Sequence, residues 1–271
     1  MLVDGKQIQQ DIKEKLTALV HKCGERPHLT LVYVGEDPVI DTYIDLKRRF
    51  GEDIGVHINI ERYPADIERE RFLGIMRNYG QSDADGIVLQ LPLPDHIDTG
   101  EVLNLVPAEK DVDVLSETAF KAALHGDHPL PPVVGAIQHI FDQYDVDLSG
   151  KKVVVVGKGR LVGKPVSLWL FSQKVPPVIL QKGDDVSAHT READIIISGA
   201  GDPHFITPDM VKDGVILIDA GTSDVAGETR GDMHPDVAQK AELFSPVPGG
   251  VGPVTVAKLF ENLLILSGYH S

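Results

Sequence analysis

The stretch "VVVVGKGRLVGKP", residues 153–165, decides how the second half of the chain folds. Its four valines predict a buried strand, and the residues around the last glycine have the pattern of a helix. Gly157, Gly159 and Gly163 stand where glycines let the backbone approach a pyrophosphate at the positive N-terminus of a helix. Three residues rather than two separate the last pair of glycines, so an ordinary tight turn is the alternative.

Strands alternate with helices on both sides of this turn. In the second half, the predicted strands are "KKVVVVG", "PPVILQ", "ADIIISGAG" and "GVILIDAG", with a helix over "VGAIQHIFDQYDVDLSG" before them. In the first half, the predicted strands are "LTLVYVG", "VHINIERY" and "DGIVLQLPLP", with helices after Asp4, after the turn "GEDP" and over residues 66–79. Strands separated by helices pair in parallel, so an α/β fold is predicted, with a doubly wound, mostly parallel sheet in the second half.

The length of 271 residues favours two domains over one hydrophobic core. The predicted first domain comprises residues 1–127 plus 253–271, because a last helix over about residues 253–266 is expected to return to it. The predicted second domain comprises residues 128–252, and the best candidate linker is "ALHGDHPLPP".

Composition limits the partners of the chain. With 26 Lys and Arg against 41 Asp and Glu, the formal charge of −15 repels nucleic acid and anionic membranes. Cys23 is the sole cysteine and agrees with a reducing cytoplasm, and no H-E-x-x-H spacing predicts a metal site. The N-terminus lacks a secretory pattern and no apolar run reaches the ~18 residues of a membrane span. We expect a soluble cytoplasmic protein.

Four polar residues of the first half are candidate site residues. Tyr43 and Lys47 are four residues apart on a predicted helix and therefore share a face, although a solvated helix edge is the alternative. Gln90 stands in an apolar strand next to a proline turn, as a structural cross-link or as a ligand group. In "EKDVD", Asp111 and Asp113 are either capping or solvated acids or binding groups.

The second half supplies candidate groups for a coenzyme. About 20 residues after the glycines, where an acid binds the ribose of NAD, "QKGDD" offers Asp184 and Asp185. Three nearby cations oppose a preference for NAD, because they favour the 2′-phosphate of NADP: Lys158, Arg160 and Lys182. A solvated acidic loop is the alternative, and the choice between NAD and NADP stays open.

The segment "PVPGGVGPVT", residues 246–255, contains three prolines and three glycines. Such a composition fixes an unusual backbone path, which is typical of loops that enclose a ligand. An interdomain hinge is the alternative. The predicted ligand-binding residues of the segment are Pro248, Gly249, Gly250 and Thr255.

Together, seven segments in this order resemble the bifunctional methylenetetrahydrofolate dehydrogenase/methenyltetrahydrofolate cyclohydrolase family over nearly the whole chain: "YIDLK", "GIVLQLPLP", "EKDVD", "VVVVGKGRLVGKP", "ADIIISGAG", "LIDAG" and "PVPGGVGPVT". The resemblance implies two α/β domains flanking a cleft, the second an NAD(P)-binding domain of Rossmann type, and a homodimer. It also implies oxidation of 5,10-methylenetetrahydrofolate and hydrolysis of the methenyl product to 10-formyltetrahydrofolate.

By the same resemblance, Lys47 is the lysine of a Y-x-x-x-K motif with Tyr43 and Gln90 beside it, and Asp113 holds the pterin ring. A lysine accepts a proton only as the neutral amine, which burial favours. We therefore predict that Lys47 works partly neutral in the occupied cleft, with Gln90 orienting it.

Several positions depart from the family pattern. Val114 replaces the glycine that commonly follows K-D-V-D, "PLPPVVG" replaces a P-C-T-P turn, "GKG" replaces G-R-S, and "QKG" replaces C-H-S. These changes leave three alternatives: a family member with only one activity, another two-domain dehydrogenase acting on a small hydroxy acid, and a nucleotide-binding regulatory protein with the same fold.

Overall fold

Helices alternate with parallel strands in both halves of the computed structural model, which describes residues 1–225 and 227–269. Contacts divide the chain into two units. The first unit contains Gln10–Pro132 and the residues from Val256 onward; the second contains Met1–Gln9 and Val133–Thr255. The predicted domains differ in giving the first nine residues to the first domain. Those residues lie in the second unit because Leu2 bridges to Phe244 and the amide of Val3 donates to the Phe244 carbonyl at 2.9 Å.

The first unit is built on a three-stranded parallel sheet. Its helices and strands, including α1, which also enters the second unit, are α1 Gly5–Cys23, β1 His28–Val34, α2 Pro38–Asp53, β2 His57–Tyr63, α3 Arg69–Gly80, β3 Gly86–Leu89, α4 Thr99–Leu103 and α5 Glu117–His125. The strand order is β2-β1-β3, with His28 opposite His57 and Leu29 opposite Gly86. The central strand is almost fully buried, as its run of apolar residues predicts.

Helix α2 begins where the sequence provides a cap. Asp37 has extended backbone, and its carboxylate accepts the amides of Val39 and Ile40, while Pro38 takes the first helical position. The carboxylate satisfies two helical N–H groups that otherwise lack a partner, and Pro38 has no N–H that needs one. On the buried side, the ring of Phe50 stacks on Phe260 at 5.2 Å between centroids. The helix is therefore fixed at its start and along its buried face.

The second unit contains a five-stranded parallel sheet. Its helices and strands are α6 Pro132–Gln143, β4 Val153–Val156, α7 Gly163–Ser172, β5 Val178–Leu180, α8 Val186–Thr190, β6 Ile195–Ser198, β7 Val215–Asp219, β8 Ser223–Val225, β9 Glu228–Arg230, β10 Ala241–Ser245 and α9 Val251–Leu266, the last continuing into the first unit. The order β10-β7-β6-β4-β5 puts a topological switch point between β4 and β6. Strands β8 and β9 form a separate antiparallel pair.

The predicted α/β class with parallel sheets is confirmed, and the differences concern short elements and boundaries. Helix α3 begins at Arg69 instead of residue 66, α9 begins at Val251 instead of about residue 253, and β3 ends at Leu89. The sequence prediction missed α4, α5, α8, the β8–β9 pair and β10. Each of these is short, and β10 gains its pairing from β7, a contact that local pattern does not encode.

Within the described ranges, no helix is both long enough and apolar enough to cross a membrane.

Candidate active site

A lysine and an amide meet at the end of the first sheet. The ammonium of Lys47, on α2, donates to Oε1 of Gln90 at 2.9 Å. Gln90 directly follows β3, and its backbone amide donates to the carbonyl of Val32 on β1 at 2.8 Å. It therefore lies at the carboxyl edge of a parallel sheet, where α/β proteins bind ligands. Both side chains are half-buried.

A second hydrogen bond, made by the side-chain nitrogen of Gln90, fixes the orientation of its amide group. Nε2 donates to the carbonyl of Leu91 at 2.9 Å, so the oxygen is the atom that faces Lys47. An amide held at both ends has one orientation, and the lysine side chain gains a defined direction from it. The sequence offered a structural cross-link and a ligand group as alternatives for Gln90, and its hydrogen bond to Lys47 joins the end of β3 to α2.

Asp113 shares this neighbourhood. Burial raises the pKa of its carboxyl, the positive charge of Lys47 opposes that rise, and the charge of Asp111 adds to it. The charge of Lys47 thus acts on Asp113, while the side chain of Gln90 is hydrogen-bonded to Lys47. Tyr43 is half-buried one helical turn before Lys47, as the spacing predicts.

Asp111 has a structural role. Its buried carboxylate accepts the amides of Leu115 at 3.0 Å and Ser116 at 2.7 Å, which fixes the turn between it and α5. Burial raises its pKa against the effect of those hydrogen bonds. This matches the capping alternative for Asp111.

Val114, the residue at a glycine position of the family pattern, has φ +58°. A β-branched residue rarely adopts this left-handed conformation, which glycine tolerates. The side chain is buried and packs with Ala119 and Ala123 of α5. Val114 is therefore a packed apolar residue in a backbone conformation that glycine usually adopts.

In the second unit, the glycine turn at the end of β4 brings backbone into close contact. Gly157 has φ +103°, and a methyl group added to it would lie 2.5 Å from the Gly199 carbonyl oxygen. A methyl group on Gly163, the first residue of α7, would overlap the carbonyl oxygen of Gly157, whereas one on Gly159 would point into open space. This is the backbone shape that admits a pyrophosphate to a helix N-terminus, so the turn fits a dinucleotide in spite of its wider glycine spacing.

The charged residues beside this turn fall into two groups. Asp184 accepts the amide of Gln181 at 2.8 Å, and Asp185 caps α8 by accepting the amide of Ala188 at 3.1 Å. Each predicted ribose acid thus accepts a local backbone amide with one of its two carboxylate oxygens. Three exposed cations have no side-chain hydrogen bond or ion pair to any residue that the structure describes: Lys158, Arg160 and Lys182.

The loop over residues 246–250 is held by backbone contacts within the second unit. Gly249 has φ +103°, and its carbonyl accepts the amide of Gly5 at 2.9 Å. A methyl group on Gly5 would overlap the Gly250 carbonyl oxygen. Pro248 is exposed, Gly249 half-buried and Gly250 buried, and the hydroxyl of Thr255 donates to the Val251 carbonyl. The unusual backbone path that the composition predicts is present.

The sequence reasoning missed two fully buried carboxylates of the second unit, Asp219 and Asp232. Burial together with the charge of Asp232 raises the pKa of Asp219 to about 7. The signal was present in "LIDAG", where an acid ends an apolar strand, but Asp232 lies 13 residues further on and only the fold joins the two.

Two family models match the chain. The catalytic-domain model of tetrahydrofolate dehydrogenase/cyclohydrolase matches residues 3–113, which contain Tyr43, Lys47, Gln90 and Asp113, and the NAD(P)-binding-domain model matches residues 131–270. The bifunctional protein FolD of Moorella thermoacetica is 37% identical over 270 residues, which cover 96% of each chain.

Solved structures agree with these matches. The bifunctional FolD dehydrogenase/cyclohydrolase of Campylobacter jejuni has a TM-score of 0.93 and 32% identity, covering 99% of this chain and 98% of its own. The Trypanosoma brucei N5,N10-methylenetetrahydrofolate dehydrogenase-cyclohydrolase, solved with NADP and an inhibitor, has a TM-score of 0.92 and 30% identity, covering 98% and 96%.

A glycine turn at a sheet switch point, and a lysine–amide pair at the edge of another parallel sheet, define a dinucleotide-dependent α/β enzyme. The chain belongs to the tetrahydrofolate dehydrogenase/cyclohydrolase family. It is an enzyme of folate one-carbon metabolism with dehydrogenase and cyclohydrolase activities and a domain that binds NADP or NAD.

Proposed function

We propose that Lys47 transfers the protons of the cyclohydrolase reaction, with Gln90, Asp113 and Tyr43 in the same pocket. The observation that carries this proposal is the 2.9 Å hydrogen bond from Lys47 to Gln90, at a sheet edge where ligands bind. A lysine amine keeps an N–H for Gln90 whether it is neutral or charged. Gln90 therefore orients Nζ throughout a cycle of protonation and deprotonation.

Water adds to the cationic methenyl carbon, and the neutral Nζ of Lys47 accepts one of its protons as the C–O bond forms. The bond between that carbon and N5 then breaks, N5 takes the proton back from Lys47, and the remaining hydroxyl proton leaves to solvent. The product is 10-formyltetrahydrofolate, and Lys47 is again neutral.

Asp113 is proposed to hold the pterin ring of the folate. Its raised pKa, caused by burial, lets the carboxyl keep a proton to higher pH than an exposed aspartate. Such a carboxyl donates as well as accepts hydrogen bonds, which suits a ring carrying both kinds of group. Tyr43, one turn before Lys47, is proposed to line the same pocket.

The glycine turn is proposed to hold the dinucleotide, with Gly157, Gly159 and Gly163 admitting its pyrophosphate to the N-terminus of α7. The bound coenzyme supplies the hydride acceptor for oxidation of 5,10-methylenetetrahydrofolate. We propose four substrate-binding residues in the loop before α9 and in its first turns: Pro248, Gly249, Gly250 and Thr255.

We further propose that the coenzyme is NADP rather than NAD. Asp184 and Asp185 each accept a backbone amide with one carboxylate oxygen, which ties both side chains to their own loop. The unengaged cations Lys158, Arg160 and Lys182 instead favour a 2′-phosphate, the group that distinguishes NADP.

The proposed domain division, residues 1–127 plus 253–271 and residues 128–252, gives the catalytic groups to the first part and the coenzyme groups to the second. We also propose a cytoplasmic homodimer. The exposed Cys23, as the sole cysteine, supports a reducing compartment. Light scattering of the purified chain measures the mass and checks the dimer.

One assay tests the function and the coenzyme. The purified chain receives 5,10-methylenetetrahydrofolate with NADP or with NAD, while the absorbances of reduced nicotinamide and of the methenyl product are followed. We expect both absorbances to report turnover, the methenyl signal to decay by enzymatic hydrolysis, and kcat/KM to be about tenfold or more higher with NADP, as charge-assisted hydrogen bonds predict. Hydrolysis without reduction would leave a cyclohydrolase alone, and a preference for NAD would overturn the coenzyme proposal.

A further inference from the structure

A fully buried carboxylate organises the loop that follows β6. Asp232 accepts three hydrogen bonds from that loop: from the hydroxyl of Ser198 at 2.6 Å, from the amide of Ala200 at 2.7 Å and from the amide of Asp202 at 2.9 Å. The side chain of Asp232 has 0% exposure. It is therefore too deep to touch a ligand, and any effect on one must pass through residues 198–202.

The loop over residues 198–202 forms one side of the switch point. The amide of Gly199 donates to the Val156 carbonyl at 2.9 Å, so the loop starts directly beside the end of β4. A methyl group on Gly157 would lie 2.5 Å from the Gly199 carbonyl oxygen, and one on Gly199 would overlap the side chain of Val162. The loop and the glycine turn over residues 157–163 are thus in backbone contact, with no room for either to shift toward the other.

Two glycines leave the space that the carboxylates of Asp232 and Asp219 occupy. A methyl group on Gly221 would overlap the Asp232 carboxylate, and one on Gly231 would overlap that of Asp219. Asp219, at the end of β7, accepts the amide of Asp232 at 3.2 Å and the amide of Met233 at 2.9 Å. The carboxylate that anchors the loop is therefore itself anchored by a second buried carboxylate.

We propose that Asp232 is a positioning residue for the coenzyme: through residues 198–202 it fixes the wall of the dinucleotide site opposite the glycine turn. This rests on the proposed function of the glycine turn. Because the groups proposed for hydrolysis lie in the first unit, loss of the Asp232 anchor weakens coenzyme binding and dehydrogenation and spares hydrolysis.

Two variants test the proposal at different strengths. Ser198→Ala removes one of the three hydrogen bonds and leaves the carboxylate in place. Asp232→Asn puts an amide N–H against a backbone or hydroxyl donor and so loses at least one bond to the loop. Thr190→Val is the matched control, because it removes a buried hydroxyl of the same unit whose hydrogen bonds go to the carbonyls of Val186 and Ser187.

The measurements are the Kd of NADPH by its fluorescence, KM and kcat of dehydrogenation, and kcat of methenyl hydrolysis without coenzyme. We expect Kd and coenzyme KM to rise roughly fivefold in Ser198→Ala, which loses one hydrogen bond to the Asp232 carboxylate, and roughly tenfold or more in Asp232→Asn, which changes the acceptor of all three. Hydrolysis should stay within about twofold of wild type in all three variants, well inside those ratios.

An unchanged Kd for NADPH in folded Ser198→Ala would overturn the proposal, as would an equal loss of both activities with unchanged Kd, which is the mark of a merely structural role. If Asp232→Asn fails to fold, Ser198→Ala decides alone. A wild-type chain without dehydrogenase activity would instead overturn the proposed function, so the two failures are distinguishable.

Discussion

The carbonyl oxygen of Gly157 occupies the space that a side chain at position 163 would need. A methyl group there would overlap that oxygen, while a methyl group at position 159 would meet nothing within 4 Å. Two glycines of one motif therefore have different physical reasons to be glycine. Position 163 needs it for the contact between turn and helix, and position 159 leaves the approach to the turn open.

This difference predicts opposite outcomes for two alanine variants. Gly163→Ala should lower the free energy of unfolding by about 1–3 kcal/mol, as overpacking does, and abolish NADPH binding because the turn must move. Gly159→Ala should keep the wild-type stability within about 0.5 kcal/mol. Urea unfolding followed by the fluorescence of Trp169, the sole tryptophan, measures both, and equal stability of the two variants would contradict this explanation.

Residue types and spacing predicted which side chains matter but not how they are partnered. The four-residue spacing of Tyr43 and Lys47 follows from a helix, whose face the sequence reveals. The bond between Lys47 and Gln90 joins residues 43 positions apart, and no local pattern encodes it.

Helix α2 carries the proposed proton-transfer group, so the stability of its first turn bears on the site. Asp37 caps that turn through Oδ1, which accepts the amides of Val39 at 2.8 Å and Ile40 at 3.3 Å. Removing such a cap costs about 1 kcal/mol in typical helices. The effect should be local, since the rest of α2 is held by its buried face.

Asp37→Ala should therefore speed amide hydrogen exchange in the first turn of α2 about fivefold, the ratio for about 1 kcal/mol of lost capping. Asp37→Asn is the matched control, because its side-chain oxygen accepts the same amides and exchange should stay close to wild type. Exchange measured by mass spectrometry on peptides covering Pro38–Asp53 compares them. Identical protection in Asp37→Ala would show that the cap contributes nothing.

The sequence was sufficient to predict apolar strands and capped helices, but not the short helices and strands. The runs "LTLVYV" and "VVVV" carry enough buried residues to identify β1 and β4 without tertiary information. By contrast, α5 has only nine residues, and β10 is short, paired with β7 and bridged by Leu2. Such elements take their structure from contacts distant in sequence.

At the scale of the whole molecule, the chain carries a net charge of −15 and buries carboxylates as well. Composition predicted the exclusion of nucleic acid as a partner, but it contains nothing about which acids are buried. Domain boundaries were equally inaccessible, because the grouping of Met1–Gln9 with the second unit depends on Leu2 meeting Phe244. The burial of particular acids and the positions of the domain boundaries both depend on how distant parts of the chain pack together.

Asp219 makes stability depend on pH. Burial, with the charge of Asp232, raises its pKa to about 7 in the folded state, above the ordinary value of 3.8. Between those values the folded chain binds more protons than the unfolded one, so this contribution to stability is present at low pH and is lost as pH rises toward and through 7. The loss amounts to at most about 1.4 kcal/mol for each pH unit.

Urea unfolding of wild type and Asp219→Asn at several pH values between about 5 and 8 isolates this effect, with Trp169 fluorescence reporting on the second unit. The variant should be less stable throughout, since an amide N–H replaces an acceptor, but the stability of wild type relative to it should fall as pH rises. A constant difference across that range would show that Asp219 does not titrate there.

One amine, that of Lys47, is held by the Gln90 amide, interacts with the charge of Asp113 and is proposed to move the protons of methenyl hydrolysis. Replacing Lys47 by methionine keeps the length of the side chain and removes the amine, while Lys121→Met removes an exposed lysine of the same unit. The decisive measurement is kcat for methenyltetrahydrofolate hydrolysis. We predict a loss of about 100-fold or more in folded Lys47→Met that still binds NADPH, with no loss in Lys121→Met; hydrolysis by Lys47→Met at the wild-type rate would contradict the claim.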